Sequence, residues 1–270
     1  MENLAICDVE NIAELIHSLK RSTNLTSFTF LSSKTSIPCD IFCGVLANLT
    51  YFELMSSNLI NLTNSQFSLP KLKHLSFKSS NLSDEQMHWI DKLINSAINL
   101  TSLSLTMNAK NLSTITYHNS QLETLQINCL MSSGAYSGMY KIFENQEKLK
   151  SLKLSSLFIN EIEIGRILEK FRELQHLEVN EMYGTVYWLV TSPKLKTFRM
   201  TSSGVGTLHL TTENLESLEI INCVALSMLQ ITGETKLSDI KVKPFNEHLT
   251  IDASVPGLTK LLQTRVKNKT

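Results

Sequence analysis

Glycine and proline are scarce in this 270-residue chain, which holds 9 of the first and 5 of the second. Unrelated connections draw heavily on those two residues, so a domain built of many dissimilar turns is excluded, and something regular must turn the chain by other means. Charge of one sign is also lacking: 25 Lys and Arg balance 25 Asp and Glu. A protein that neutralises phosphates shows a basic excess or stripe, and a solvated disordered chain shows high net charge with few apolar residues. Neither pattern is present, so nucleic acid is not an expected partner. No stretch approaches the ~18 consecutive apolar residues of a membrane span, and the start, Met1 to Glu10, lacks the basic region and apolar run of a secretory signal. Five cysteines are an odd number and too sparse for a disulfide framework. Reduced thiols and a cytoplasmic location are therefore expected, with no membrane partner.

What the chain does have is 42% apolar residues, enough for a large core, and one pattern that recurs. An apolar residue, two polar, an apolar, one polar and an apolar appear as Leu25-Phe28-Phe30, Leu49-Phe52-Leu54, Leu72-Leu75-Phe77, Leu100-Leu103-Leu105 and Leu122-Leu125-Ile127. The series continues with Leu149-Leu152-Leu154, Leu174-Leu177-Val179, Leu195-Phe198-Met200, Leu215-Leu218-Ile220 and Leu237-Ile240-Val242. First residues are 20 to 28 apart. Such a repeat resembles the leucine-rich repeat, and the resemblance covers nearly the whole chain. It implies an α/β solenoid, a horseshoe with about ten parallel strands on its concave face. Three residues after each strand the family usually has Asn or Cys. Here only Asn108 and Cys223 match among Ser33, Ser57, Ser80, Asn108, Leu130, Leu157, Met182, Ser203 and Cys223, which predicts irregular curvature.

The connections change along the chain. Ile12, Leu15, Ile16 and Leu19 recur at helical spacing, as do Met87, Ile90, Leu93, Ile94 and Ala97, the latter introduced by a Ser83-x-x-Gln86 capping box. Residues 140–149 and 159–171 are two further helix candidates. After about residue 190, strand-like runs fall halfway between repeats: Val205-Leu208-Leu210, Leu226-Leu229-Ile231 and Leu249-Ile251, with an earlier half-step at Leu112-Ile115-Tyr117. About ten residues per half-turn cannot hold a helix with its loops. The expectation is one leucine-rich-repeat domain over 1–270: a partial first repeat (1–20), helix-backed repeats (21–190), strand-backed repeats (191–257) and a terminal cap (258–270). Helix-backed then strand-backed repeats resemble the arrays of F-box proteins more than those of extracellular receptors. The start on a strand, Leu4-Ala5-Ile6, leaves an amino-terminal edge to be covered by a partner or by further chain.

Seven Asn-x-Ser/Thr sequons, at Asn24, Asn48, Asn61, Asn81, Asn99, Asn111 and Asn268, support the alternative of a secreted or immune-type recognition glycoprotein. The repeat supplies a plainer origin for most of them, because polar residues flank its first Leu.

Enzymatic signatures are lacking. No phosphate loop, nucleophile elbow or zinc-type Cys pair at two-residue spacing occurs, so neither cofactor nor metal is expected and the chain reads as non-enzymatic. Cys39 and Cys43, four apart, read as buried thiols; His176 and Glu178, two apart, as strand surface; Asp84, Glu85 and His88 as residues at a helix start. Function is expected on the exposed strand positions, which stack into one concave surface. Its candidate partner-binding residues are Tyr51, Glu53, Met55, His74, Lys78, Lys153, His176, Glu178, Arg199, Glu219 and Lys241. The surface mixes both charge signs, which suits a protein or peptide partner. The resemblance adds one specific role, an adaptor or substrate receptor of a ubiquitin ligase.

Overall fold

A computed structural model of the chain describes residues 3–7, 19, 22, 24–32, 37–38, 46–56, 59–60, 68–80, 82–130, 140–157, 165, 167–183, 186–233, 236–243 and 249–253. The chain divides into two compact units, Met1–Met131 with Tyr136–Gln146, and Ser132–Ala135 with Glu147–Thr270. Each is described by itself.

In the first unit, strands β1 (Asn3–Cys7), β2 (Ser27–Ser32), β4 (Tyr51–Ser56), β6 (His74–Lys78), β7 (Ser102–Met107) and β8 (Thr124–Cys129) lie side by side in chain order, every neighbour parallel. Two short strands, β3 (Ile37–Pro38) and β5 (Leu59–Ile60), pair separately. The cause of the arrangement is alternation. The second and third apolar residues of each repeat point to one face, where Phe28, Phe30, Phe52, Leu54, Leu75, Phe77, Leu103 and Leu105 are at most 2% exposed. Register places Phe28 opposite Phe52, and their rings stack 6.0 Å apart at 7°. Each such side chain contributes roughly 1.5–3 kcal/mol by leaving water, and that removal from water holds the repeats together.

The first Leu of the repeat turns the chain. Its amide closes a tight turn onto the carbonyl three residues back, as Leu49 to Leu46 (3.1 Å), Leu72 to Leu69 (3.3 Å) and Leu100 to Ala97 (3.1 Å). One carbonyl per repeat then accepts two amides from the next: Thr26 from Thr50 and Tyr51, Thr50 from Lys73 and His74, Lys73 from Thr101 and Ser102. Because hydrogen bonding between repeats sets the turn, glycine is not needed there.

Helix α1 (Asp84–Ser96) follows β6 as expected. The Ser83 hydroxyl accepts from the Gln86 amide, Gln86 Oε1 accepts from the Ser83 amide, and Met87, Trp89, Ile90, Leu93 and Ile94 are buried. Two other helices are single turns, α2 (Ala109–Leu112) and α3 (Tyr140–Phe143). Helix-backed repeats throughout 21–190 are the expectation; among the described residues of that range, α1 is a helix of several turns, residues 165 and 167–169 are helical, and the β3–β5 pair stands among the early connections. The Tyr140 helix stops short because Asn145 adopts a positive φ of 67°. The half-step at Leu112 is the end of α2, capped by the Asn108 side chain, rather than a strand; Ile115 and Tyr117 are nonetheless buried. Residues 12–18, most of 159–171, the 258–270 cap, Cys39 and Cys43 lie outside the described residues.

In the second unit, β9 (Ser151–Ser155), β10 (His176–Asn180), β12 (Thr197–Thr201), β14 (Ser217–Ile221) and β16 (Asp239–Lys243) form one parallel series. Strands β11 (Tyr187–Thr191), β13 (Thr207–Thr211), β15 (Met228–Thr232) and β17 (Thr250–Ala253) form a second parallel sheet. Strands β13, β15 and β17 are the half-repeat strands read from sequence, and β11 is one that the sequence reading did not name. The two sheets share a core in which Trp188 meets Phe198, ring centroids 5.8 Å apart, beside Leu208, Leu210, Leu218 and Ile220.

The corners explain the glycine shortage. After β9, β10, β12 and β14 the chain turns through Ser156, Glu181, Ser202 and Asn222 at φ 57°, 52°, 50° and 55°. All four of their amides extend the parallel ladder by one bond, Ser156 to Asn180, Glu181 to Thr201 and Ser202 to Ile221 at 2.9 Å each and Asn222 to Lys243 at 3.3 Å. At two glycines no side chain fits: a Cβ on Gly206 would lie 2.9 Å from the Val186 carbonyl oxygen, and on Gly233 2.4 Å from that of Thr212.

Candidate functional site

Strand alternation leaves the first, third and fifth residues of each strand on the face opposite the core, and every proposed binding residue occupies one of these positions. Tyr51, Glu53, Met55, His74 and Lys78 belong to the first unit; Lys153, His176, Glu178, Arg199, Glu219 and Lys241 to the second. All are half-buried or exposed.

In the first unit the face is largely neutral. Tyr51 Oη donates to Glu53 Oε2 at 3.0 Å across two residues of β4. Its ring lies 6.3 Å from that of His74, directly opposite on β6. Burial pushes the Tyr51 hydroxyl pKa up, and the bond to Glu53 and its negative charge push it further. Met55 faces Lys78 in register. Beyond these, Ser76, Ser102, Ser104, Thr124, Gln126 and Asn128 supply short or neutral groups.

In the second unit the third positions alternate in charge. Lys153, Glu178, Arg199, Glu219 and Lys241 stand opposite one another in register on five successive strands. Lys153 Nζ meets Glu178 Oε1 at 3.0 Å, Arg199 Nε meets Glu219 Oε2 at 3.1 Å, and Lys241 Nζ pairs with Glu219 Oε1. Burial works to raise the Glu178 pKa, but hydrogen bonds from Asn180 and Lys153 and the charges of Lys153 and Arg199 outweigh it, so the net direction is down. Glu219 is lowered chiefly by its hydrogen bond from Lys241, with burial opposing and Arg199 assisting.

Sequence reasoning named these five residues as separate candidates for partner binding. Register joins them into a ladder, a fact that needs the strand alignment and not composition. It missed the neighbouring polar row. Asn180 donates to Glu178 Oε1 (3.1 Å) and Ser155 Oγ (3.3 Å) and accepts from Thr201 Oγ1. Position five of each strand was the available signal. It also missed the outer face of the second sheet, where His209 lies between Tyr187 Oη (3.3 Å) and Thr232 Oγ1 (3.1 Å), with Tyr187, Leu189 and Met228 exposed nearby.

The irregular turn position is better satisfied than the sequence suggested. Asn108 Nδ2 donates to the Ser80 carbonyl (3.0 Å), Ser203 Oγ accepts from the Met182 amide (3.2 Å), and Cys223 Sγ reaches the Ile221 carbonyl (3.4 Å). Burial raises the Cys223 thiol pKa, so this cysteine stays neutral and unreactive.

Among the described residues, no group of three or more His, Cys, Asp or Glu is arranged to hold a metal ion, and no helix is long and apolar enough to cross a membrane. No protein-family model matches the chain, and no curated protein matches it significantly. The polar faces of the strands therefore carry the functional argument.

Proposed function

We propose that this chain is a leucine-rich-repeat horseshoe acting as a non-enzymatic protein-recognition module, with the polar rows of its parallel strands, at the first, third and fifth positions, as the contact surface. The observation that carries the reading is the charge ladder Lys153–Glu178–Arg199–Glu219–Lys241, held in register on five strands. Charges fixed before binding present a defined pattern without the loss of side-chain freedom that flexible Lys and Glu would incur on contact. Mixed signs select a partner of complementary pattern and reject uniform polyanions. The cell interior suits Cys223, a buried thiol outside any disulfide. An adaptor or ubiquitin-ligase substrate receptor is the specific role that the resemblance to F-box repeat arrays implies.

Affinity capture tests the reading. Wild type is compared with Tyr51→Ala and Arg199→Ala on the proposed surface, and with Leu189→Ser on the opposite sheet of the second unit. Partners lost from both surface variants and kept by Leu189→Ser support it. Partners kept by both surface variants overturn it.

A further inference from the structure

The two faces differ in one respect that bears on partner chemistry. In the second unit both ladder carboxylates, Glu178 and Glu219, have a cation within 3.1 Å. In the first unit Glu53 has none within ion-pair distance among the described residues; its hydrogen bond is the one from Tyr51. That carboxylate is half-buried, and its in-register neighbours are the short Thr29 on β2 and Ser76 on β6. Short flanks leave the carboxylate open above the sheet. Tyr51 and Met55 rise on either side along β4, and the His74 ring lies beside Tyr51. Tyr51 fixes one carboxylate oxygen, Oε2, by donation, and among the described residues Oε1 has no hydrogen-bond partner.

A half-buried carboxylate that has lost part of its water and gained no cation is a defined vacancy in charge. An aromatic ring and a polarisable thioether at its margins suit a cationic head with an alkyl stem, through contact with the ring face and packing of the methylenes. A second carboxylate is repelled there, and a neutral group leaves the charge uncompensated. Resting on the recognition reading above, we propose that Glu53, flanked by Tyr51 and Met55, is the subsite that takes a Lys or Arg side chain of the protein partner. The raised Tyr51 pKa agrees with a hydroxyl held as donor to Glu53.

Fluorescence anisotropy tests this with a labelled peptide of alternating Ser and Arg and its Ser-citrulline counterpart, which keeps the shape and removes the charge. Glu53→Gln is the site variant, and Glu123→Gln, an exposed carboxylate just before β8, is the control. The expected result is that wild type and Glu123→Gln bind the Arg peptide about fivefold or more tightly than Glu53→Gln does, and that the citrulline peptide shows no such difference. Equal binding of the Arg peptide by wild type and Glu53→Gln overturns the subsite, as does equal binding of the two peptides by wild type. The two proposals fail separately. Capture of the natural partner that is lost in Tyr51→Ala and Arg199→Ala but unmoved by Glu53→Lys leaves recognition standing and removes the subsite. Capture unmoved by all three removes both.

Discussion

Arg199 stands directly opposite Glu219 across β12 and β14, and its Nε lies 3.1 Å from the Glu219 carboxylate. Glu178 faces Arg199 from the other side. One cation thus serves two carboxylates, and charge reversal there should be felt along the row. Arg199→Glu would place three acidic residues side by side, and like charges directly opposite in a sheet are destabilising. With the Arg199 side chain half exposed, the expected loss is modest, about 1 kcal/mol or slightly more. Urea unfolding checks it, and the companion change Glu219→Arg should recover part of the loss.

The same row makes stability depend on acid. Glu178 and Glu219 both have folded pKa values below their ordinary value, so their contribution is fully present above the unfolded carboxylate pKa and is lost as pH falls through the lowered folded values. The urea midpoint of wild type should therefore fall on acidification below about pH 5. In the Glu178→Gln/Glu219→Gln double variant that fall should be shallower. Parallel acid limbs for the two proteins would show that the ladder carboxylates are not responsible.

Two glycine exchanges separate strain from space. Gly233 has φ 106°, and a Cβ there would lie 2.4 Å from the Thr212 carbonyl oxygen, an encounter with backbone that no rotamer relieves. Gly233→Ala should lower stability by about 2 kcal/mol or more. Ser202 already occupies a left-handed corner at φ 50°, so Ser202→Gly should be close to neutral while Ser202→Val, β-branched at positive φ, should cost about 1–2 kcal/mol. Thermal or urea denaturation of the three variants checks the order.

The sequon Asn99-Leu100-Thr101 is occupied by structure at all three residues. Asn99 Nδ2 donates to the Pro70 carbonyl (2.7 Å), Leu100 is fully buried, and Thr101 Oγ1 donates to the Lys73 carbonyl (3.2 Å). Thr101→Val removes the hydroxyl at constant shape and should cost about 1 kcal/mol. Asn111, at 2% exposure, is closed to a glycosyltransferase in the folded chain. Treatment of native protein with a deglycosidase should leave its gel mobility unchanged; a shift would support the secreted alternative.

The strands were legible in sequence because alternation at fixed spacing is the strongest short-range signal a chain carries: all ten repeated segments fall on strands. The half-repeat strands β13, β15 and β17 were legible for the same reason, whereas β11 was not read. The short helices were not. Ile115 and Tyr117 are buried like strand residues, yet Asn108 caps a helical turn just before them, a choice made by one side-chain bond rather than by periodicity. The site was legible by position and illegible by pairing. Alternation says that Glu53 and Glu178 both face away from the core, but only register shows that Lys153 and Arg199 flank one while Thr29 and Ser76 flank the other.

The central claim, that the polar rows of the long strand series contact a protein partner, is tested most directly by site-specific photo-crosslinking. A benzophenone amino acid is placed in turn at Ser76 and Thr197 on the proposed surface, and at Thr207 on the outer sheet of the second unit. The expected result is an adduct with one partner from both surface positions and none from Thr207. Adducts from Thr207 alone, with Ser76 and Thr197 silent, would contradict it.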